Sequence, residues 1–124
     1  MSQRKFQLFK GATHVVGSFG SLSDVLNIDP ATLANACDIV EIRLDLLPAQ
    51  KAGQATPWGR LGDFPILFTA RRKEEGSPLD LDAATRMRML ENILGEAACV
   101  DVEVASITEM GEVLKMLEPA GIPW

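Results

Sequence analysis

The chain has no tyrosine, a single histidine and two cysteines among its 124 residues. With His14 alone and no Cys-x-x-Cys pair, a Cys/His metal site has almost no material, and no metal is expected. Cys37 and Cys99 stand far apart, which suits buried free thiols in a cytoplasmic protein better than a disulfide. Basic excess is missing too. Twelve lysines and arginines face 17 aspartates and glutamates, a net charge of −5, so there is no basic stripe to track nucleic acid. No apolar run approaches the roughly 20 residues of a membrane span. Residues 1–10 carry scattered positive charge without the apolar core of a secretory signal. Low-complexity segments and internal repeats are also absent. What is present is an ordinary globular composition, 47% hydrophobic, in a length that makes one domain or part of one.

Along the chain, strand patterns alternate with helix patterns. Thr13 to Phe19 is a short β-branched run closed by glycine. Asp29-Pro30 reads as an N-cap and first helical residue, opening a helix through Ala36. Ile39 to Leu46 is the second strand and Pro65 to Ala70 the third. Between them, Pro48 to Gly62 is loop-like, with one helical turn near Trp58. Arg71 to Leu79 is a polar loop. Asp80 or Asp82 caps a helix reaching about Leu94, with Ala83, Met87, Leu90 and Leu94 at helical spacing. Cys99 to Ala105 is the fourth strand. Ser106-Ile107-Thr108-Glu109 then matches a capping box, followed by Met110, Val113, Leu114 and Leu117 at helical spacing. The helix methionines read as core filler, and Gly121 to Trp124 as the lead-in to another strand. This order implies a parallel sheet covered by helices.

Three of the strands carry polar groups at a period of two. In Asp38-Ile39-Val40-Glu41-Ile42-Arg43-Leu44-Asp45, Val40, Ile42 and Leu44 point one way and Glu41, Arg43 and Asp45 the other. Thr69 and Arg71 share a face at the end of the third strand. Asp101 and Glu103 share one on the fourth, opposite Val100, Val102 and Val104. If the sheet curls, these faces converge, and in a β/α barrel the chemistry sits at the carboxyl ends of the strands. Four carboxylates against two arginines leave a shortage of positive charge, since buried charge is costly unless paired. A cation from further strands, a metal or a protonated carboxyl would each supply it. Structural Glu/Arg pairs inside the barrel are the alternative for each residue taken alone.

Val16-Gly17-Ser18, Glu41-x-Arg43-x-Asp45, Thr69-x-Arg71-x-x-x-Glu75-Gly76 and Asp101-x-Glu103, in that order from about Val15 onward, resemble type I 3-dehydroquinate dehydratase. The resemblance implies an α/β fold of parallel βα repeats. The 124 residues would be a single partial domain, the first half, about four strands, of a (β/α)8 TIM barrel. It further implies a carbon–oxygen lyase of the shikimate pathway, in aromatic amino acid biosynthesis, which turns 3-dehydroquinate into 3-dehydroshikimate and water. No metal or organic cofactor is involved. A lysine forms a Schiff base with the ketone, and a histidine moves the proton.

By this resemblance Arg43 and Arg71 would hold the anionic substrate, Glu41 would bind one of its hydroxyls, and Ser18 would be a minor polar contact. Glu75 would orient the histidine. Asp45, Asp101 and Glu103 would support the arginines or the lysine from behind. The lysine and histidine themselves are expected beyond Trp124. His14 precedes the first strand, and Lys5, Lys10, Lys51, Lys73 and Lys115 do not match the Schiff-base position. The chain alone is therefore expected to be inactive, and to pair its exposed sheet edges, as a homo-oligomer or otherwise. Two other readings stand beside this one. One is a non-catalytic half-barrel for binding or interaction. The other is a flavodoxin-like open sheet binding phosphate, although Gly17-Ser18-Phe19-Gly20-Ser21 lacks the Gly-Lys-Ser/Thr of a P-loop.

Overall fold

A computed structural model describes residues 11–49 and 55–124. Lys5, Lys10 and Lys51, and the stretch 1–10 read above for a signal, lie outside the described residues. Four parallel strands form one sheet: β1 Val16–Phe19, β2 Ile39–Arg43, β3 Ile66–Thr69 and β4 Cys99–Asp101. Their spatial order is their chain order, β1-β2-β3-β4. Doubly wound sheets of the flavodoxin kind reverse direction at a switch point. This one does not, so the phosphate-binding open sheet is excluded, and the fold is half of a β/α barrel.

Helices α1 Leu22–Asn27 and α2 Pro30–Ala36 fill the first connection, α3 Ala83–Glu91 the third, and α4 Gly111–Leu117 follows β4. Local chemistry explains their starts. Asp29 accepts the Thr32 N–H at 2.8 Å with Pro30 at the first helical position, and Asp82 accepts the Thr85 N–H at 2.7 Å. Helix α1 carries no periodic signal in the sequence, because its six residues bury only Val25; Ser21 is its N-cap. In the second connection the described residues hold only two 3-10 turns, Leu44–Leu46 and Pro57–Leu61, and a single large side chain takes the place of a helix. Trp58 is buried, packs edge-on against Phe68 with ring centroids 5.1 Å apart, and donates its indole N–H to Glu96 at 2.7 Å.

One sheet face supplies the core. Val40, Ile42, Ile66, Phe68 and Val100 are essentially fully buried, together with Val25, Leu33, Leu90, Val113 and Leu117 from the helices. The other face carries Ser18, Glu41, Arg43, Thr69 and Asp101.

Several boundaries differ from the sequence reading: β1 starts at Val16 rather than Thr13, and α3 ends at Glu91 rather than about Leu94. Strand β2 stops at Arg43 rather than Leu46, because Leu44–Leu46 coils into a 3-10 turn. Strand β4 stops at Asp101 rather than Ala105, and Val104 is 86% exposed instead of facing inward. The capping box does not form: Met110 precedes α4 without a side-chain cap. Its two polar members are taken elsewhere, since both Ser106 and Glu109 bind Arg86. Gly121 to Trp124 does run beside β4, where Val100 N–H donates to the Pro123 carbonyl at 3.0 Å. Cys37 is buried and free as expected, whereas Cys99 is only half-buried on the polar side.

These boundaries set a stability contrast. Ile42→Val should cost about 0.5–1.5 kcal/mol of unfolding free energy in urea, and Val104→Ser should stay within about 0.5 kcal/mol of wild type. A large loss at Val104 would mean that it faces the core and that β4 continues past Asp101.

Candidate active site

Parallel pairing sets the polar groups in two rows. Ser18 lies beside Glu41 and Glu41 beside Leu67; one step toward the carboxyl ends, Arg43 lies beside Thr69 and Thr69 beside Asp101. Carboxylates then lace neighbouring strand ends together. Glu41 accepts from Ser18 Oγ at 2.7 Å and from Thr69 Oγ1 at 2.8 Å, joining β1, β2 and β3. Asp45 receives the Arg43 fork, Nε at 2.9 Å and Nη2 at 2.7 Å, and the Arg71 backbone N–H at 3.2 Å, joining β2 to the end of β3. Glu103 accepts the Arg72 N–H at 2.9 Å and lies 3.4 Å from Arg71 Nη1, joining β3 to β4. The Arg71 guanidinium also pairs with Asp101.

The 3-10 turn after β2 is what makes the Asp45 contact possible. A continued strand would carry Asp45 onto the open polar face; the turn tucks it under instead, where its side chain is inaccessible. Burial alone would raise its carboxyl pKa. The Arg43 fork, the Arg71 amide and Ser77 outweigh that and hold it below the ordinary value, while the Arg43 guanidinium is raised above its own, chiefly by Asp45.

Arg43 and Arg71 each keep 19% of their side chains exposed, so both are anchored from one side and open on the other. An arginine has five N–H donors, and the Asp45 fork takes two of those on Arg43. Arg72 is nearly as covered, at 22%, but its Nε binds Glu74, which is itself well exposed. Glu75 sits exposed on the Lys73–Glu75 turn and takes no part in the lacing among the described residues; Gly76 ends that turn with φ of 112°, a value that suits glycine. Of the residues picked from the sequence, the structure thus joins Ser18, Glu41, Arg43, Asp45, Arg71, Asp101 and Glu103, and leaves Glu75 on the rim.

Two further participants had no role assigned from the sequence. Thr69, placed there on the polar face beside Arg71, is fully buried and completes the Glu41 site. Arg86, on α3, is buried and meets Glu103 at 3.6 Å, supplying from the helix layer a positive charge that the strands lack. Its signal was available: a charge three residues after Ala83 and four before Leu90 interrupts an apolar stripe. Among the described residues no group of three or more His, Cys, Asp or Glu side chains could hold a metal ion, and no lysine or histidine lies on the polar sheet face.

The profile of the type I 3-dehydroquinase family matches residues 15–119, a span that takes in every group in the lacing. The chain belongs to this family. Among solved structures it is similar to 3-dehydroquinate dehydratase from Enterococcus faecalis, at TM-score 0.70 and 21% identity over 98% of this chain and 55% of that one. It is also similar to 3-dehydroquinate dehydratase from Geobacillus kaustophilus HTA426, at TM-score 0.69 and 25% identity over 90% of this chain and 48% of that one. This member of the family therefore spans about half the length of the solved structures it matches. No curated protein matches it significantly.

The lowered Asp45 pKa makes a pH-dependent prediction. Because the folded value lies below the unfolded one of about 3.9, the ionised carboxylate stabilises the fold fully above that pH. The contribution is lost as pH falls through the lower folded value. Asp45→Asn should cost roughly 1.5–3 kcal/mol near neutrality, and the gap to wild type should close only below about pH 4. Urea unfolding across a pH series measures it; a gap that stays constant into strong acid would show that the Asp45 charge is not the stabilising feature.

Proposed function

We propose that the strand-end groups are the substrate-holding part of a 3-dehydroquinate site, in a dehydratase that forms 3-dehydroshikimate and water for the shikimate pathway. One observation carries this reading: two guanidiniums stand at the carboxyl ends of adjacent strands, each fastened to carboxylates behind it and open in front. Such forks suit a carboxylate-bearing, polyhydroxylated acid.

In this reading Arg43 and Arg71 take the substrate's anionic and hydroxyl oxygens. Glu41, held by two hydroxyls yet with lone pairs to spare, accepts from a substrate hydroxyl. Ser18 is a minor contact beside it. Asp45, Asp101 and Glu103 hold the arginines in place. Glu75, on the rim loop, would orient a histidine. The 124 residues act as one partial domain, and the reaction also requires a Schiff-base lysine and a histidine, which the described polar sheet face does not carry. No metal or organic cofactor has a part in the reaction.

A second reading, a non-catalytic interaction module, has one observation in its favour. The β1 edge exposes Val15 and Val16, at 51% and 47%, and open edges favour association. Chain association through that edge would serve either reading.

Two assays on the 124-residue chain test the proposal together. Calorimetric titration with 3-dehydroquinate should show saturable binding. Arg71→Gln should weaken it by at least about tenfold, the worth of a charge-assisted bond, while Arg72→Gln leaves it nearly unchanged. Ultraviolet detection of the enone product should show no turnover, because among the described residues no lysine or histidine stands on the polar face to form the Schiff base or to act as a general base, the latter worth about 10²–10⁴ in rate. Equal effects of the two variants would move the site away from Arg71, and turnover by the chain alone would mean that the catalytic groups lie within it.

A further inference from the structure

The side chain of Arg86 belongs to a helix on the apolar side of the sheet, yet it ends inside the polar cluster with only 3% of its surface exposed. Five contacts fix it. Nη1 lies 3.6 Å from Glu103 Oε2 and donates to Ser106 Oγ at 3.1 Å and toward Met110 Sδ at 3.2 Å. Nη2 donates to Glu109 Oε1 at 2.7 Å, and Nε to the Leu81 carbonyl at 3.3 Å. Glu103 is as deeply buried, at 2%, and its other oxygen faces the Arg72 N–H and Arg71. This carboxylate therefore stands between two guanidiniums, one sealed in the helix layer and one open to the strand mouth.

The charge balance depends on which arginine answers Glu103. Without Arg86, Arg71 alone would face both Asp101 and Glu103, one positive charge against two negative, and an anion approaching it would meet net repulsion. With Arg86 present, the two arginines match those two carboxylates. Glu109, the remaining acid in the cluster, is 44% exposed and its charge is screened by water. Nothing about helix formation calls for a guanidinium in that apolar stripe, where burying it is costly unless the charge is met.

We propose that Arg86 is a positioning residue: it takes up the charge of Glu103 from behind and so leaves Arg71, at the strand mouth, with Asp101 as its one carboxylate to answer, removing the net repulsion that an anionic substrate would otherwise meet. The identity of that substrate, though not the charge balance, rests on the 3-dehydroquinate reading. Arg86 touches no substrate and acts only through Glu103.

The Arg71 side chain itself provides the readout. In the nitrogen-15-labelled chain, its Nε–H NMR signal is followed in the free protein and during titration with 3-dehydroquinate. Arg86→Met should move the free signal, as Glu103 turns its charge onto Arg71, and should weaken the 3-dehydroquinate response by about tenfold. Arg86→Lys, which keeps the charge, should recover most of the loss, and adding Glu103→Gln to Arg86→Met should bring the response close to wild type. A purely structural role would change stability and leave the Arg71 signal of the folded fraction where it was. If Arg86→Met does not fold, Glu103→Gln alone carries the test: it should move the free Arg71 signal and strengthen the response. An Arg71 signal unmoved by either variant, or a response weakened by Glu103→Gln alone, would overturn the proposal. A wild-type chain that fails to bind 3-dehydroquinate, while these variants still move the free signal, would contradict the substrate reading and leave the coupling standing.

Discussion

The carboxylates at the ends of the parallel strands cannot be left alone. Asp45 and Glu103 have side chains at 0% and 2% exposure, and an unpaired charge at such depth would neutralise itself or unfold the chain. Asp45 takes the Arg43 guanidinium of its own strand and the Arg71 N–H of the neighbouring one, and Glu103 takes the Arg72 N–H and the Arg71 guanidinium, so the bonds that satisfy the charge also set the strand ends side by side. The lacing from Ser18 through Glu41 to Thr69, and from Asp45 through Arg71 to Glu103, is thus a structural seam beneath the proposed binding surface. The turn after β2, the early end of β4 and the lost capping box all follow from it, because each places a polar group where the seam requires one.

The two faces of the sheet divide the labour. Val40, Ile42, Ile66, Phe68 and Val100 form a dry face whose burial drives folding. The opposite face spends its residues on charge. Helix α3 serves both: Leu90 fills the core, while Arg86 passes charge toward the strand ends.

What the sequence makes legible is whatever has a period or a fixed partner in chain order. The alternation of Glu41 and Arg43 with Val40 and Ile42, the Asp29-Pro30 and Asp82 helix starts, and the parallel sheet are all of this kind. Helix α1 is too short to show a period, and the turn that tucks Asp45 under is decided by Arg71, 26 residues away. Ser106 and Glu109 satisfy a local capping rule, but a buried guanidinium competes for both and wins, because leaving Arg86 unpaired would cost more than leaving α4 uncapped. Arg86 itself is visible in the sequence only as a misfit in an apolar stripe; its partner, Glu103, becomes clear once the sheet is assembled.

The proposed ligand surface is the open side of this seam. Mapping the backbone amide shifts of the chain during titration with 3-dehydroquinate would locate it. The largest changes should cluster at Ser18, Glu41, Arg43, Thr69 and Arg71, at the carboxyl ends of adjacent strands. Changes centred instead on the apolar cavity lined by Leu44, Leu47, Trp58, Met89 and Ile93 would contradict it.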